Sequence, residues 1–193
     1  MRLCRLAAAL LAIAYPALVY YGLTRFEPRV LGLLLLAILL LRQGAHAAAF
    51  WRSAPGGERR LLLSMLGLSL AIVGANSEDL LRLYPAAMSG GMFILFARSL
   101  RHPPSVIERI ARLHEPDLDA AGVRYTRTVT QVWSVFLAIN TLLALVTVFT
   151  SRELWALWNG LGAYLCMGLL FAGEWLWRRR VRRSARATPG GEA

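Results

Sequence analysis

The sequence predicts an all-α fold: a polytopic membrane bundle of six transmembrane helices with one short amphipathic helix on its cytoplasmic side. Three observations lead there. Mean hydropathy is +0.50 and 57% of the 193 residues are hydrophobic, which is too apolar for an ordinary soluble domain. Six apolar runs can be drawn, at 6–24, 30–41, 61–77, 83–97, 128–150 and 154–177. Once they are drawn, 18 of the 22 basic residues, all arginine, fall on one side of the membrane. Arginines beside span ends are retained in the cytoplasm. Both termini are therefore expected there, with the chain in the bacterial inner membrane.

The first span, 6–24, follows Arg2 and Arg5. It exceeds the ~7–15-residue apolar region of a signal peptide, and no small-x-small cleavage site precedes Arg25, so it reads as a retained helix. Pro16 should kink it. The second span has an apolar stretch at 30–41 that is short against the ~20 residues needed to cross the hydrocarbon core. Arg29 and Arg42 can snorkel outward, and a helix continuing through 44–51 would extend it to 30–50. Dropping it would invert every later segment and erase the arginine bias, so it is kept. The third span is 61–77. The fourth, 83–97, has Pro85 at its start, where proline is tolerated. The fifth is 128–150. The sixth, 154–177, is flanked by Trp155, Trp158, Trp175 and Trp177, which read as interfacial anchors. Gly67, Ala71 and Ala75, and likewise Gly168 and Ala172, repeat at four-residue spacing and predict faces where helices approach closely. Residues 1–183 form one membrane domain on this reading, and 184–193 a small, polar, disordered tail.

The connections on the outer side, 25–29, 78–82 and 151–153, are short, and folded recognition surface is expected only on the cytoplasmic side. The cytoplasmic loop 98–127 is the longest. Pro103 and Pro104 end the preceding helix, and Ser105 with Glu108 then fits a capping box. Val106, Ile107, Ile110 and Leu113 share one helical face, with Arg109 and Arg112 on the other. This predicts a short helix lying on the membrane surface. Asp117 or Asp119 caps the lead-in to the fifth span.

Glu174 is the sole acid inside a predicted span, and intramembrane ionisable residues are functional candidates because burying their charge is costly. Arg178, four residues on, is its expected partner. Asn140 and Asn159 are the polar candidates in or near spans, Asn140 as an interhelical hydrogen-bonding group. Glu108, Arg109, Arg112 and Arg124 mark a cytoplasmic surface that would attract an acidic partner. His114 and Asp119 have the H-x-x-x-x-D spacing with which glycerolipid-type acyltransferases hold a histidine base. His114, Glu115, Asp117 and Asp119 could bind a divalent cation, but their spacing is not distinctive of soft or hard ligation, and no metal or cofactor is expected. The chain has no Gly-rich phosphate loop, G-x-S-x-G or CxxC motif. Cys4 and Cys166 fall at different depths, so no disulfide is expected. The net charge of +11 sits at membrane edges rather than on a soluble face, which argues against nucleic-acid binding. Membrane lipid is the one partner the composition itself implies, and a homo-oligomer is compatible with it.

Several stretches together carry a resemblance: Pro104-Ser-Val-Ile-Glu-Arg109, Glu115-Pro-Asp-Leu118, Val123-Arg-Tyr-Thr-Arg127, Trp133, Asn140, Trp155-Ala-Leu-Trp-Asn-Gly160, and Gly173-Glu174 with the arginines from Arg178. They resemble an uncharacterised family of bacterial inner-membrane proteins from aryl polyene and xanthomonadin-type pigment gene clusters. The resemblance implies a non-catalytic accessory in polyene-lipid assembly or transfer, working beside acyl carrier proteins. Relatives are sometimes labelled ketosynthases. This chain argues against that chemistry, which needs a Cys nucleophile with His partners on a far larger soluble fold, whereas Cys166 is mid-membrane and His46, His102 and His114 are cytoplasmic. The second half is also similar to the intracellular septation protein type, through Trp133, Phe136, Trp155, Asn159 and Gly160. A small oligomeric transporter or flippase, a membrane-bound acyltransferase and a septation-type envelope protein are the alternative readings.

Overall fold

The computed structural model describes residues 25–43 and 56–187, with side chains for 25–41 and 56–176. Among these residues every regular element is helical: α1 (Pro28–Gln43), α2 (Gly56–Ala75), α3 (Glu78–Arg101), α4 (Val106–Arg112), α5 (Ala120–Val148), α6 (Arg152–Leu157), a π-helical turn (Trp158–Gly162) and α7 (Ala163–Ala187). Three helices are long and apolar enough to cross a membrane: Glu78–Arg101, Ala120–Val148 and Arg152–Leu176, the last running through the π turn. The apolar helix Pro28–Leu41 is shorter than a span. The expected first span at 6–24 with its Pro16 kink, the continuation through 44–51, Cys4, His46 and residues 188–193 lie outside the described residues.

Helix starts are set by short polar side chains that accept from orphan backbone N–H groups. Ser77 accepts from Leu80, Asp119 from Gly122 at 2.7 Å, and Ser151 from Leu154. Ser77 was expected to close the third span; instead it opens α3. Glu78 and Asp79 follow in the first turn, where carboxylates suit the helix dipole. The helix therefore begins well before residue 83, and Pro85 lies in its interior rather than at its start. The chain turns between α2 and α3 at Asn76, whose φ of 48° falls in the left-handed region that asparagine tolerates better than most residues. Because α3 runs to Arg101 and α5 begins at Ala120, the connecting loop is 102–119, shorter than the expected 98–127. At the other end, helical backbone continues to Ala187, four residues into the expected tail.

The most extensive packing is between α3 and α5. Small residues let the two backbones approach: Ala86 and Ala144 are buried, and a Cβ on Gly90 would stand 3.3 Å from Thr141. Polar side chains buried on α5 satisfy themselves. The hydroxyls of Thr130 and Ser134 donate to carbonyls four residues back, at 2.8 and 2.7 Å, so they enter a helix interface without unpaired donors. The apolar core lies at the short-loop end, where Ile72, Leu81, Val148, Trp155 and Ala156 meet, with Leu31 and Leu35 of α1 against them. Gly32 makes that approach of α1 feasible, since a Cβ there would lie 2.8 Å from the Ile72 side chain.

Two expectations are corrected here. A Cβ on Gly67 or Gly168, taken as packing positions, would meet nothing within 4 Å among the described residues, and Ala71, Ala75 and Ala172 on the same stripes are exposed. Trp155 is not an interfacial anchor. It is 5% exposed and donates its indole N–H to the Arg82 carbonyl at 2.9 Å, which joins α6 to α3.

Candidate functional site

At the short-loop end, three of the arginines that break the charge bias are bound within the protein. Helix α5 ends here, where its last carbonyls have no regular intrahelical partner. The Arg82 guanidinium, 8% exposed, donates to the carbonyls of Thr147 at 3.0 Å and Thr150 at 2.6 Å. Arg29 does the same for α2. Its Nε donates to Val73 O at 3.1 Å and its backbone N–H to Asn76 Oδ1 at 2.8 Å. A cation at a helix C-terminus also complements the dipole. Arg152 forms a two-pronged ion pair with Glu78. Sequence reasoning missed these roles, because each depends on a helix distant in the chain.

Asn140 is buried and donates to Ser89 Oγ at 2.8 Å across the α3–α5 interface, as expected, while its own carbonyl oxygen has no partner among the described residues. Asn159 sits in the π turn. Its amide donates to the Trp155 carbonyl, four residues back, at 2.9 Å and to Thr147 Oγ1 at 3.1 Å. That carbonyl is the acceptor a regular α-helix would offer to the Asn159 N–H, and one turn later the Ala163 N–H bonds five residues back, to Trp158 O. Asn159 thus marks the place where the ladder widens, and its role is structural.

The opposite end carries the arginines. The capping box is present, with Glu108 N–H donating to Ser105 Oγ and Ser105 N–H to Glu108 Oε2. Helix α4 turns Glu108 inward, 6% exposed, and leaves Ile110 and Leu113 52% and 81% exposed. Of the predicted apolar face, Ile110 and Leu113 thus point away from the bundle, whereas Val106 and Ile107 are half-buried. Arg109 pairs with Glu58 at 3.4 Å, tying α4 to α2, and Arg112 holds Glu108 at 2.9 Å and the Pro116 carbonyl at 3.0 Å. Both were expected to be docking residues; both are partly exposed and hold ion pairs within the chain. Arg98, Arg101, Arg124 and Arg127 are exposed at this end.

No hydrogen bond joins His114 to Asp119 among the described residues. One oxygen of the Asp119 carboxylate accepts from the Gly122 N–H, and the His114 ring lies against the Ile110 carbonyl of its own turn at 3.5 Å. Among the described residues no three His, Cys, Asp or Glu side chains converge as metal ligands.

Glu174 has a partner that its local sequence did not suggest. Tyr125 on α5 donates its hydroxyl to Glu174 Oε1 at 3.1 Å; the side chain of Arg178 lies outside the described residues. Both line a cavity of about 430 Å³ between α5 and α7, with Val132, Trp133, Leu169 and Leu170 as apolar walls. Trp133 meets Phe171 across the gap, ring centroids 4.8 Å apart. Comparison with protein-family models, with curated proteins and with solved structures gives no match.

Proposed function

We propose that the chain is a non-catalytic accessory of the bacterial inner membrane that recruits an acidic partner, of the acyl carrier protein kind, to its arginine-bearing end. The reading includes six spans with both termini cytoplasmic. The observation that carries it is the exposure of Arg98, Arg101, Arg124 and Arg127 together at one end, none with an ion-pair partner among the described residues. Arg98 and Arg101 close α3 while Arg124 and Arg127 lie near the start of its closest neighbour, α5. A cluster of exposed guanidinium groups steers an acidic protein and fixes its orientation. The polyene-lipid setting rests on the resemblance carried by residues 104–182 alone.

The test uses the full chain in lipid nanodiscs and a purified acyl carrier protein. Changing Arg98, Arg101, Arg124 and Arg127 together to Gln should abolish retention of the carrier. Raising salt should mimic the loss with the unaltered chain, because exposed charges are screened beyond ~8–10 Å at physiological ionic strength. Arg109→Gln, which breaks an internal pair, should retain the carrier. Retention that ignores both the four substitutions and the salt would refute the docking role.

A further inference from the structure

We propose that the groove between α5 and α7 binds one lipid of the phosphatidylethanolamine type, an amphiphile with long apolar chains, a phosphate and a primary ammonium. The 430 Å³ cavity beside Glu174 adjoins a second of about 600 Å³ that shares Val132, Leu169 and Leu170 and extends to Ile139 and Cys166. Each volume lies within the ~300–1,000 Å³ typical of ligand pockets. The groove walls are apolar and accessible: Val135 is 61% and Leu169 73% exposed. Along α5, the distance from Tyr125 to Ile139 is about 21 Å at 1.5 Å per residue. One leaflet contributes about 15 Å of hydrocarbon, so an acyl chain can lie along the groove for its full depth.

What distinguishes this groove from any lipid-facing surface is its polar end. Glu174 is half-buried there and accepts from Tyr125. Arg124, next to Tyr125 in the chain, is exposed and shares a helical stripe with Thr128, Gln131 and Val135, which line the two cavities, since residues four and seven apart stack on one face. A carboxylate and a guanidinium at the same end of an apolar channel match a headgroup with both an ammonium and a phosphate. Phosphatidylglycerol would satisfy Arg124 but set an anion beside Glu174. Phosphatidylcholine carries the positive charge but has no N–H to donate, whereas a primary ammonium has three. Arg124 serves both this site and the docking surface; Glu174 serves this site alone, so the two readings can fail separately.

The test is native mass spectrometry of the full chain, delipidated in detergent and offered phosphatidylethanolamine, phosphatidylcholine or phosphatidylglycerol with identical acyl chains. One phosphatidylethanolamine should remain per chain, bound about ten-fold more tightly than the other two, as expected for charge-assisted hydrogen bonds. Glu174→Gln should bring it down to the phosphatidylcholine level without affecting carrier retention. Leu169→Trp, which fills the groove, should lower all three. If Glu174→Gln does not fold, Tyr125→Phe should narrow the preference while keeping the ring. Equal retention of the three lipids by the unaltered chain overturns the proposal. A dimeric mass free of lipid overturns it too, because a second copy would then occupy the groove.

Discussion

Arg82 is buried with no ion-pair partner among the described residues, and of the two carbonyls it serves most closely, Thr147 O also accepts from the Thr150 N–H and hydroxyl, whereas Thr150 O relies on Arg82. Arg82→Met should strand the Thr150 carbonyl and destabilise the protein by about 1–3 kcal/mol, read as a lower thermal midpoint in detergent. Arg82→Lys, which keeps the charge but not the fork, should recover part of the loss; an Arg82→Met protein as stable as the parent would remove the capping argument. Asn140 is a smaller effect of the same kind. Its bond to Ser89 joins helices inside the bundle, where side-chain pairs of this type couple by ~0.6 kcal/mol, at most about 1.7. A double-mutant cycle of Asn140→Ala with Ser89→Ala should give a coupling in that range. A coupling of zero would mean that Asn140 holds nothing across the interface.

Two glycines on neighbouring helices separate close packing from mere small size. Gly32→Ala forces a methyl against Ile72, which is fully buried, β-branched and unable to step aside, so overpacking should cost about 1–3 kcal/mol. Gly67→Ala enters open space and should be neutral or stabilising by up to ~1 kcal/mol through helix propensity. Thermal unfolding of the two variants side by side checks this, and equal midpoints would contradict the assigned faces. The pair also shows which parts of the fold were legible in the sequence. Caps were, because Ser105 with Glu108 and Asp119 with Gly122 act over three residues. So was the inward bond of Asn140, because an amide in an apolar span has few other uses. The stripe of Gly67, Ala71 and Ala75 named a face but not whether a helix covers it. Glu174 was assigned its nearest local cation, Arg178, whose side chain lies outside the described residues; the bond to Tyr125, from 49 positions away, had no local signal. Trp155 misled for the same reason. Its position near a span end fits an interfacial anchor as well as it fits a wedge beneath Arg82.

The two ends of the molecule differ in kind. One is closed, with the apolar core, Arg29, Arg82 and the Arg152–Glu78 pair drawing the helices together. The other is open, with exposed arginines, the outward face of α4 and the mouth of the groove. This polarity makes a topological prediction: reporters fused after Asp79 and Arg152 should report one side of the membrane, and a reporter after Pro116 the other. The same signal at Asp79 and Pro116 would mean that α3 does not span. The Arg82 clasp also bears on biogenesis. The carbonyls it grips lie 65 to 69 residues further along the chain, so at ~5–20 residues per second the ribosome leaves this guanidinium without them for roughly 3–14 s. During that interval α3 carries an ungripped cation at the end that the positive-inside bias disfavours for export. Its orientation should therefore be provisional until α5 emerges and the clasp forms. Chains arrested after Arg101 should show mixed orientation at Asp79, and chains extended past Ser151 a single one.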